Sequence, residues 1–201
     1  MTPAAEQMIS DTARVSNPAN QGMAPGKLLE YCVRNQHWSP FEMANACIEI
    51  NTTRDIARQI LRHRSFSFQE FSQRYAGINV LSPPDLREAR LQDEKNRQSS
   101  LETKDEYLSN WWQAAQANLE ADALRTYSEA LKKGIAKEVA RVVLPEGLTA
   151  SRMYMNGTIR SWMHYVQLRK GKGTQKEHRL IAEEIDSILA EQLPLIWKGL
   201  E

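Results

Sequence analysis

The most informative segment of the chain is RHRSFSFQEFSQR, residues 62–74. It opens with three cationic or cationisable side chains and closes with a serine and an arginine: Arg62, His63, Arg64, Ser72 and Arg74. Guanidinium groups bind phosphates through paired hydrogen bonds, and serine hydroxyls add donors at short range. The segment therefore indicates either a site for an anion or a basic surface whose arginines pair with acids.

The residues before this segment have the pattern of a helix. Ile56 and Ile60 share one face, whereas Arg54, Arg58 and Arg62 repeat every four residues on another. Like charges at that spacing destabilise a helix unless something anionic offsets them. The arginine repeat therefore favours the anion site over the basic surface.

Charge is unevenly distributed along the chain. Residues 54–74 carry five arginines and two acids, a balance of +3, and residues 141–179 carry eight bases and two acids, a balance of +6. Residues 85–138 carry eleven acids and nine bases, a balance of −2. The net charge of +1 thus excludes a bulk polycation but conceals two basic blocks.

The composition is that of a globular protein. A chain of 201 residues with 25% charged and 41% apolar residues suits one domain with its own core. No apolar run approaches the roughly 18 residues of a membrane span, and the first thirty residues lack the apolar core of a signal peptide. The expected compartment is the cytoplasm, or the host cytoplasm for a viral chain.

Periodicity predicts an α+β fold that is mainly helical with a small central β-sheet. Strand patterns cover 45–51, 75–81 and 149–155, and residues 65–74 are predicted to form a loop. Helical patterns are separated by turn residues and cover 27–34, 54–62, 86–98, 103–133, 135–144, 158–169 and the segment after 174. Because the strands do not alternate regularly with helices, a βαβ architecture is excluded.

The two cysteines carry no recognisable site. Cys32 and Cys47 show neither Cys-x-x-Cys spacing nor a neighbouring set of metal ligands, so no metal is expected. No base adjoins either thiol, and we expect both to be ordinary buried small residues.

The signature Arg62-His63-Arg64 followed by Ser72-x-Arg74 resembles that of flavin-dependent thymidylate synthases. The late segment RSWMHYVQLR, residues 160–169, is similar to the family pattern Arg-x-x-x-(Asn/His)-Phe-x-x-x-Arg, with Tyr165 at the Phe position. Further similar segments are 13–16 (ARVS), 37–42 (HWSPFE), 57–59 (ARQ), 138–145 (EVARVVLP) and 175–177 (QKE). Residues 85–130 resemble the family only in forming a helical spacer between these segments.

This resemblance implies the reductive methylation of dUMP to dTMP. Methylenetetrahydrofolate would supply the carbon, NADPH the reducing equivalents, and bound FAD would carry the hydride. A homotetramer with sites at subunit interfaces is implied, with neither a nucleic acid nor a membrane as partner. A flavin-dependent route does not need a nucleophilic cysteine, which agrees with the absence of a catalytic setting around Cys32 and Cys47.

The resemblance also implies the site residues. The dUMP site would comprise Gln59, Arg62, Glu70, Phe71, Ser72, Gln73, Arg74, Arg141 and Arg169. The FAD site would comprise His37, Ser39, Arg62, His63, Arg64, Thr158, Arg160 and His164. Arg169 would be catalytic, because it corresponds to the arginine that stabilises uracil ionised at N3. Arg62 would bridge both ligands.

Other conspicuous residues have plainer interpretations. The Ser72 hydroxyl is expected to contact phosphate rather than act as a nucleophile, since no general base stands beside it in the sequence. His178 is expected at the surface or in packing. Trp111 and Trp112 are expected in the core or at a subunit contact rather than against flavin, and Met153 and Met155 in strand packing.

Two departures from the family pattern affect this interpretation. The family usually begins with a β-strand, which is expected to be missing here because residues 1–3 lead almost directly into a helix. Thr158 stands where the family often has Asn, which makes a flavin contact at that position less secure.

Two alternatives remain open. The same flavin scaffold could hydroxymethylate a pyrimidine nucleotide, and the product mass would then differ by one oxygen. The basic blocks could instead bind nucleic acid, since Phe66, Phe68 and Phe71 lie among the basic residues. Against this, the chain lacks helix-turn-helix, zinc and RNA-recognition patterns.

Overall fold

A computed structural model describes residues 1–200; Glu201, the last residue of the expected domain, lies outside the described residues. The α-helices are α1 (Ala5–Ala13), α2 (Lys27–Arg34), α3 (Arg54–Ile60), α4 (Glu106–Lys132), α5 (Lys137–Ala140), α6 (Ile159–Arg169), α7 (Lys176–Gln192) and α8 (Pro194–Trp197). The strands are β1 (Asn45–Thr53), β2 (Ser67–Glu70), β3 (Arg90–Gln92), β4 (Ser100–Glu102) and β5 (Ala150–Thr158). The predicted mainly helical α+β fold is confirmed.

The strands form two sheets. The larger has the order β1-β5-β2, and β3 and β4 form an antiparallel pair in which Leu91 lies opposite Leu101. Alternation along β5 buries Met153 and Met155 completely, which confirms their expected strand packing. Alternation along β1 buries Ala46 and Ile50 while turning Cys47 and Glu49 outward.

The chain divides into two compact units. The first comprises Met1–Ile48, Arg64–Phe68 and the chain from Met155 onward. Its core includes Ile9, Leu29, Phe41 and Trp162, all 0% exposed. The indole N–H of Trp162 donates a 3.0 Å hydrogen bond to the carbonyl of Ala46 in β1.

The second unit comprises Glu49–His63 and Gln69–Tyr154. Ile56 and Ile60 on α3 are fully buried, as the sequence pattern predicts, and so is Ala57 between them. The long helix α4 is capped by Asp105, whose carboxylate accepts a hydrogen bond from the backbone N–H of Leu108. The expectation of a single domain over residues 1–201 stays a prediction.

Three predictions of secondary structure are wrong. Residues 86–98 do not form a helix, because the carboxylate of Asp93 accepts backbone hydrogen bonds from Lys95 and Asn96 and so stabilises a turn between β3 and β4. Residues 75–81 contain a 3-10 helix over Ile78–Val80 instead of a strand. The predicted loop 65–74 contains β2, which pairs with β5 in the larger sheet.

One expectation about burial is wrong. Cys47 is exposed, because β1 turns it to the same side as Glu49, whereas Cys32 on α2 is buried as expected. Trp111 and Trp112 on α4 are 56% and 37% exposed, which excludes the core for them, and the expected subunit contact stays a prediction. No helix within residues 1–200 is long and apolar enough to cross a membrane.

Candidate functional site

A polar cavity of about 410 Å³ lies in the second unit. Arg54 and Arg58 reach it from α3, Gln73 from the segment after β2, and Arg141 from the 3-10 helix after α5. The remaining lining residues are Glu138, Val142, Leu144 and Glu146. Three arginines against two glutamates leave the cavity wall with a net positive charge.

Gln73 is the least exposed polar residue of this cavity. It is 3% exposed, and its amide Nε2 is buried with no hydrogen-bond partner among residues 1–200. A buried donor left unbonded costs free energy, roughly 1–3 kcal/mol. An acceptor bound in the cavity would remove that cost.

The guanidinium groups of the second unit fall into two sets. Some pair with acids: Arg58 with Glu146 at 2.5 Å, Arg74 with Glu138 at 3.5 Å and Arg54 with Glu70 at 3.8 Å. These three arginines are paired with acids, although the Arg54 side chain is only 18% exposed. Arg62 and Arg141 have no ion-pair partner in the part of the chain that the structure describes.

Backbone and side-chain hydrogen bonds hold the signature segment at the end of β2 and just after it. The N–H of Phe71 donates a 2.8 Å hydrogen bond to the carbonyl of Arg152. Glu70 accepts a 2.7 Å hydrogen bond from the Ser151 hydroxyl. The Ser72 hydroxyl accepts one from the N–H of Arg74 at 3.4 Å, which forms a local turn.

Of the proposed dUMP residues, the structure brings Gln73 and Arg141 together at the cavity. Arg74 lines an adjoining cavity of about 320 Å³ with Tyr75, Ala136, Lys137 and Glu138. Gln59 lies near the end of α3 and is partly buried. Arg169 is the last residue of α6 and belongs to the first unit.

The first unit brings together most of the proposed FAD residues. The His164 ring packs edge-on against Trp38, with ring centroids 4.9 Å apart. The guanidinium of Arg160 pairs with Glu42 at 2.8 Å. Because Trp38 and Glu42 flank Ser39, these contacts join the 37–42 segment, which includes His37 and Ser39, to α6.

Thr158 has a structural role at the start of α6. Its hydroxyl accepts a 3.2 Å hydrogen bond from the N–H of Ser161 and so caps the helix. The Ser161 hydroxyl donates a 3.5 Å hydrogen bond to the carbonyl of Ser65, which neighbours Arg64. Arg64 is exposed and has no carboxylate partner among residues 1–200.

The electrostatic surroundings of His164 favour its neutral form. Desolvation by burial and then the Arg160 guanidinium lower its pKa, whereas the carboxylate of Glu42 raises it. A neutral imidazole beside a cationic guanidinium presents donors and acceptors without adding further positive charge.

Sequence reasoning missed some residues at these sites. Arg54 and Arg58 line the polar cavity although neither was assigned to it, and their helical repeat with Arg62 was the available signal. Trp38 and Glu42 contact assigned residues and lie in the 37–42 segment. Residues 1–200 contain no cluster of three or more His, Cys, Asp or Glu that could hold a metal ion.

Comparison with known proteins identifies relatives along nearly the whole chain. A family model described as thymidylate synthase complementing protein matches residues 1–195. The chain is 49% identical over 199 residues to a probable flavin-dependent thymidylate synthase of Paramecium bursaria Chlorella virus 1, covering 98% of this chain and 91% of that protein. It is 48% identical over 196 residues to a flavin-dependent thymidylate synthase of Synechocystis sp., covering 98% and 89%.

The fold has similar solved structures. A UMP/dUMP methylase PolB from Streptomyces cacaoi, crystallised with 5-Br dUMP, superposes with a TM-score of 0.83. It is 25% identical in sequence, over 96% of this chain and 89% of that one. Fold, signature segment and relatives agree, and the chain belongs to the flavin-dependent thymidylate synthase family.

Proposed function

We propose that the chain catalyses the reductive methylation of dUMP to dTMP. The polar cavity of the second unit carries the proposal, because the buried amide of Gln73 and the guanidinium of Arg141 line the same space, the amide Nε2 without a hydrogen bond and the guanidinium without an ion pair within residues 1–200. Such a pair of donors suits a phosphate dianion. The relatives named as thymidylate synthases and the neighbour bound to 5-Br dUMP support dUMP as the ligand.

The proposed dUMP site also includes residues that do not line this cavity. Ser72 and Arg74 would add donors to the phosphate, and the full set is Gln59, Arg62, Glu70, Phe71, Ser72, Gln73, Arg74, Arg141 and Arg169. Arg169 would stabilise the negative charge of uracil ionised at N3 and so raise the electron density at C5. A fixed guanidinium does this without reorganisation during the reaction.

FAD would be held by His37, Ser39, Arg62, His63, Arg64, Thr158, Arg160 and His164. Arg62 and Arg64 fit its diphosphate, because both are exposed guanidiniums that pair with no carboxylate of residues 1–200. When bound, the flavin supplies the hydride that no side chain can donate. NADPH and methylenetetrahydrofolate are the proposed co-substrates.

The proposed assembly is a homotetramer of single-domain chains with sites at subunit interfaces. The exposed Trp111 and Trp112 on α4 suit a subunit contact. Free rather than disulfide-bonded cysteines suit the cytoplasm as the compartment. Neither a nucleic acid nor a membrane is proposed as a partner.

One incubation tests the function. The purified protein is mixed with dUMP, methylenetetrahydrofolate, FAD and NADPH, and the mass of the nucleotide product is measured by mass spectrometry. We expect dTMP that depends on each component, with UMP run in parallel as a second nucleotide. A product one oxygen heavier would instead establish a hydroxymethylase, and the absence of any modified nucleotide would refute both.

A further inference from the structure

A buried hydrogen bond joins α6 to α7 one helical turn before Arg169. The Tyr165 hydroxyl lies 2.9 Å from Nε2 of His178. Tyr165 is 2% exposed and His178 is 0% exposed, which confirms the packing role expected for His178. Because both groups are polar and buried away from water, the hydrogen bond between them is worth more than a surface one.

The Tyr165 ring is fixed from two further sides. It packs edge-on against Trp162, with ring centroids 5.7 Å apart, and against Phe66 of the signature segment at 5.8 Å. Tyr165 therefore links the signature segment, α6 and α7 within the first unit.

Tyr165 and Arg169 lie four residues apart on α6, so their side chains share one face of the helix. Burial strongly raises the pKa of Tyr165, and the Arg169 guanidinium partly opposes that rise. Arg169 is therefore within electrostatic range of a phenol that stays neutral.

We propose that the Tyr165–His178 hydrogen bond is a positioning contact that holds Arg169 in place for the reaction. The family pattern has Phe at the position of Tyr165, so a ring alone satisfies it. This chain adds a hydroxyl there and supplies a buried histidine to bond it. The hydrogen bond connects the C-terminal part of α6 to the first turn of α7 and so restricts the movement of the Arg169 guanidinium.

This inference rests on the proposed function, because it concerns the role proposed for Arg169. A guanidinium that stabilises charge in the transition state must already be oriented before reaction. Loss of orientation should lower kcat while leaving the KM for dUMP nearly unchanged. Neither Tyr165 nor His178 is proposed to touch a ligand.

The test compares Tyr165→Phe, His178→Leu and His178→Gln with the double variant that carries Tyr165→Phe and His178→Leu. Rates are measured at a temperature where circular dichroism shows every variant to be fully folded. The matched control is Tyr127→Phe, since the Tyr127 hydroxyl is also buried but has no hydrogen-bond partner within residues 1–200. NADPH oxidation without dUMP is measured in parallel.

We expect Tyr165→Phe and His178→Leu to lower kcat for dTMP formation about 10- to 100-fold, with the KM for dUMP and the dUMP-independent oxidation of NADPH unchanged. His178→Gln, which keeps a hydrogen-bonding group, should recover most of kcat. The double variant should lose no more than either single variant, because both remove the same bond.

An unchanged kcat in the folded single variants would overturn the inference, as would additive losses in the double variant or an equal loss in Tyr127→Phe. If the wild-type protein forms no dTMP, the proposed function itself fails, and the wild-type measurement alone shows this.

Discussion

Gly157 of β5 lies so close to the ring of Phe66 that no β-carbon fits between them. Phe66 is in turn packed edge-on against Trp162, with ring centroids 4.7 Å apart. The absence of a side chain at Gly157 thus allows the signature segment to pack on α6.

Replacing Gly157 by Ala should therefore displace Phe66. We expect the free energy of unfolding to fall by about 1–3 kcal/mol, as for other overpacked cores. Chemical denaturation measures it. The matched control is Gly173→Ala, where nothing lies within 4 Å of an added β-carbon and the change should stay within about 0.5 kcal/mol. Equal effects at the two glycines would contradict the packing argument.

Gln73→Leu should separate binding from stability. The Gln73 Nε2 has no hydrogen-bond partner in the described part of the chain, so its removal should leave the free energy of unfolding unchanged or raise it. Affinity for dUMP, measured by calorimetric titration, should fall about 10- to 100-fold, since a donor to a charged phosphate is lost.

The contrasting variant is Gln116→Leu on α4. Gln116 is equally buried, but its amide exchanges two hydrogen bonds with the backbone of Arg87, at 2.9 and 2.8 Å. We expect it to lose stability and to keep its dUMP affinity. A loss of stability with unchanged dUMP affinity in Gln73→Leu would show that Gln73 is a structural residue.

Arg64→Gln should weaken FAD binding without destabilising the fold. Arg64 has no ion pair to lose among the described residues, so the melting temperature should stay the same. FAD affinity, followed by flavin fluorescence quenching, should fall about 10-fold or more, because a charge-assisted contact is removed. Arg125→Gln, which breaks an exposed pair with Asp122 on α4, should affect neither. Unaltered FAD binding in Arg64→Gln would remove Arg64 from the site.

His164 should make the fold sensitive to acid. Its pKa is lower in the folded protein than the ordinary 6.5, so the unfolded chain binds more protons as the pH falls below that value. The free energy of unfolding should therefore decrease between about pH 7.5 and pH 5. His164→Gln should show a smaller decrease in chemical denaturation of the flavin-free protein. Identical pH profiles would mean that His164 titrates normally.

Periodic spacing of apolar residues correctly predicted the helices and strands that bury a single face. The period of Ile56 and Ile60 gave α3, and the alternation of Ala46 and Ile50 gave β1, since each has one buried face. The antiparallel pair of β3 and β4 was missed, because residues 86–98 contain many helix-forming residues. Two backbone hydrogen bonds to Asp93 outweigh that preference.

Motif resemblance assigned Gln73 and Arg141 to one site, and the structure places both at the polar cavity. Nothing else in the sequence distinguishes Gln73 from the exposed glutamines of the chain. Its burial depends on the fold around the polar cavity. Arg54 was omitted although it lines that cavity, because its role comes from the direction of α3 rather than from a motif.

The tryptophans of this chain differ sharply in their access to water. Trp162 and Trp197 are buried, and both indole N–H groups donate hydrogen bonds, to Ala46 and to Asp186, whereas Trp111 and Trp112 face outward on α4. A water-soluble quencher such as iodide therefore reaches Trp111 and Trp112 more readily than the two buried tryptophans, and it reaches the partly exposed Trp38 to an intermediate degree. A decrease in iodide quenching as the protein concentration rises would report that another chain covers α4. The tryptophan fluorescence of the unlabelled protein is therefore a direct measure of assembly.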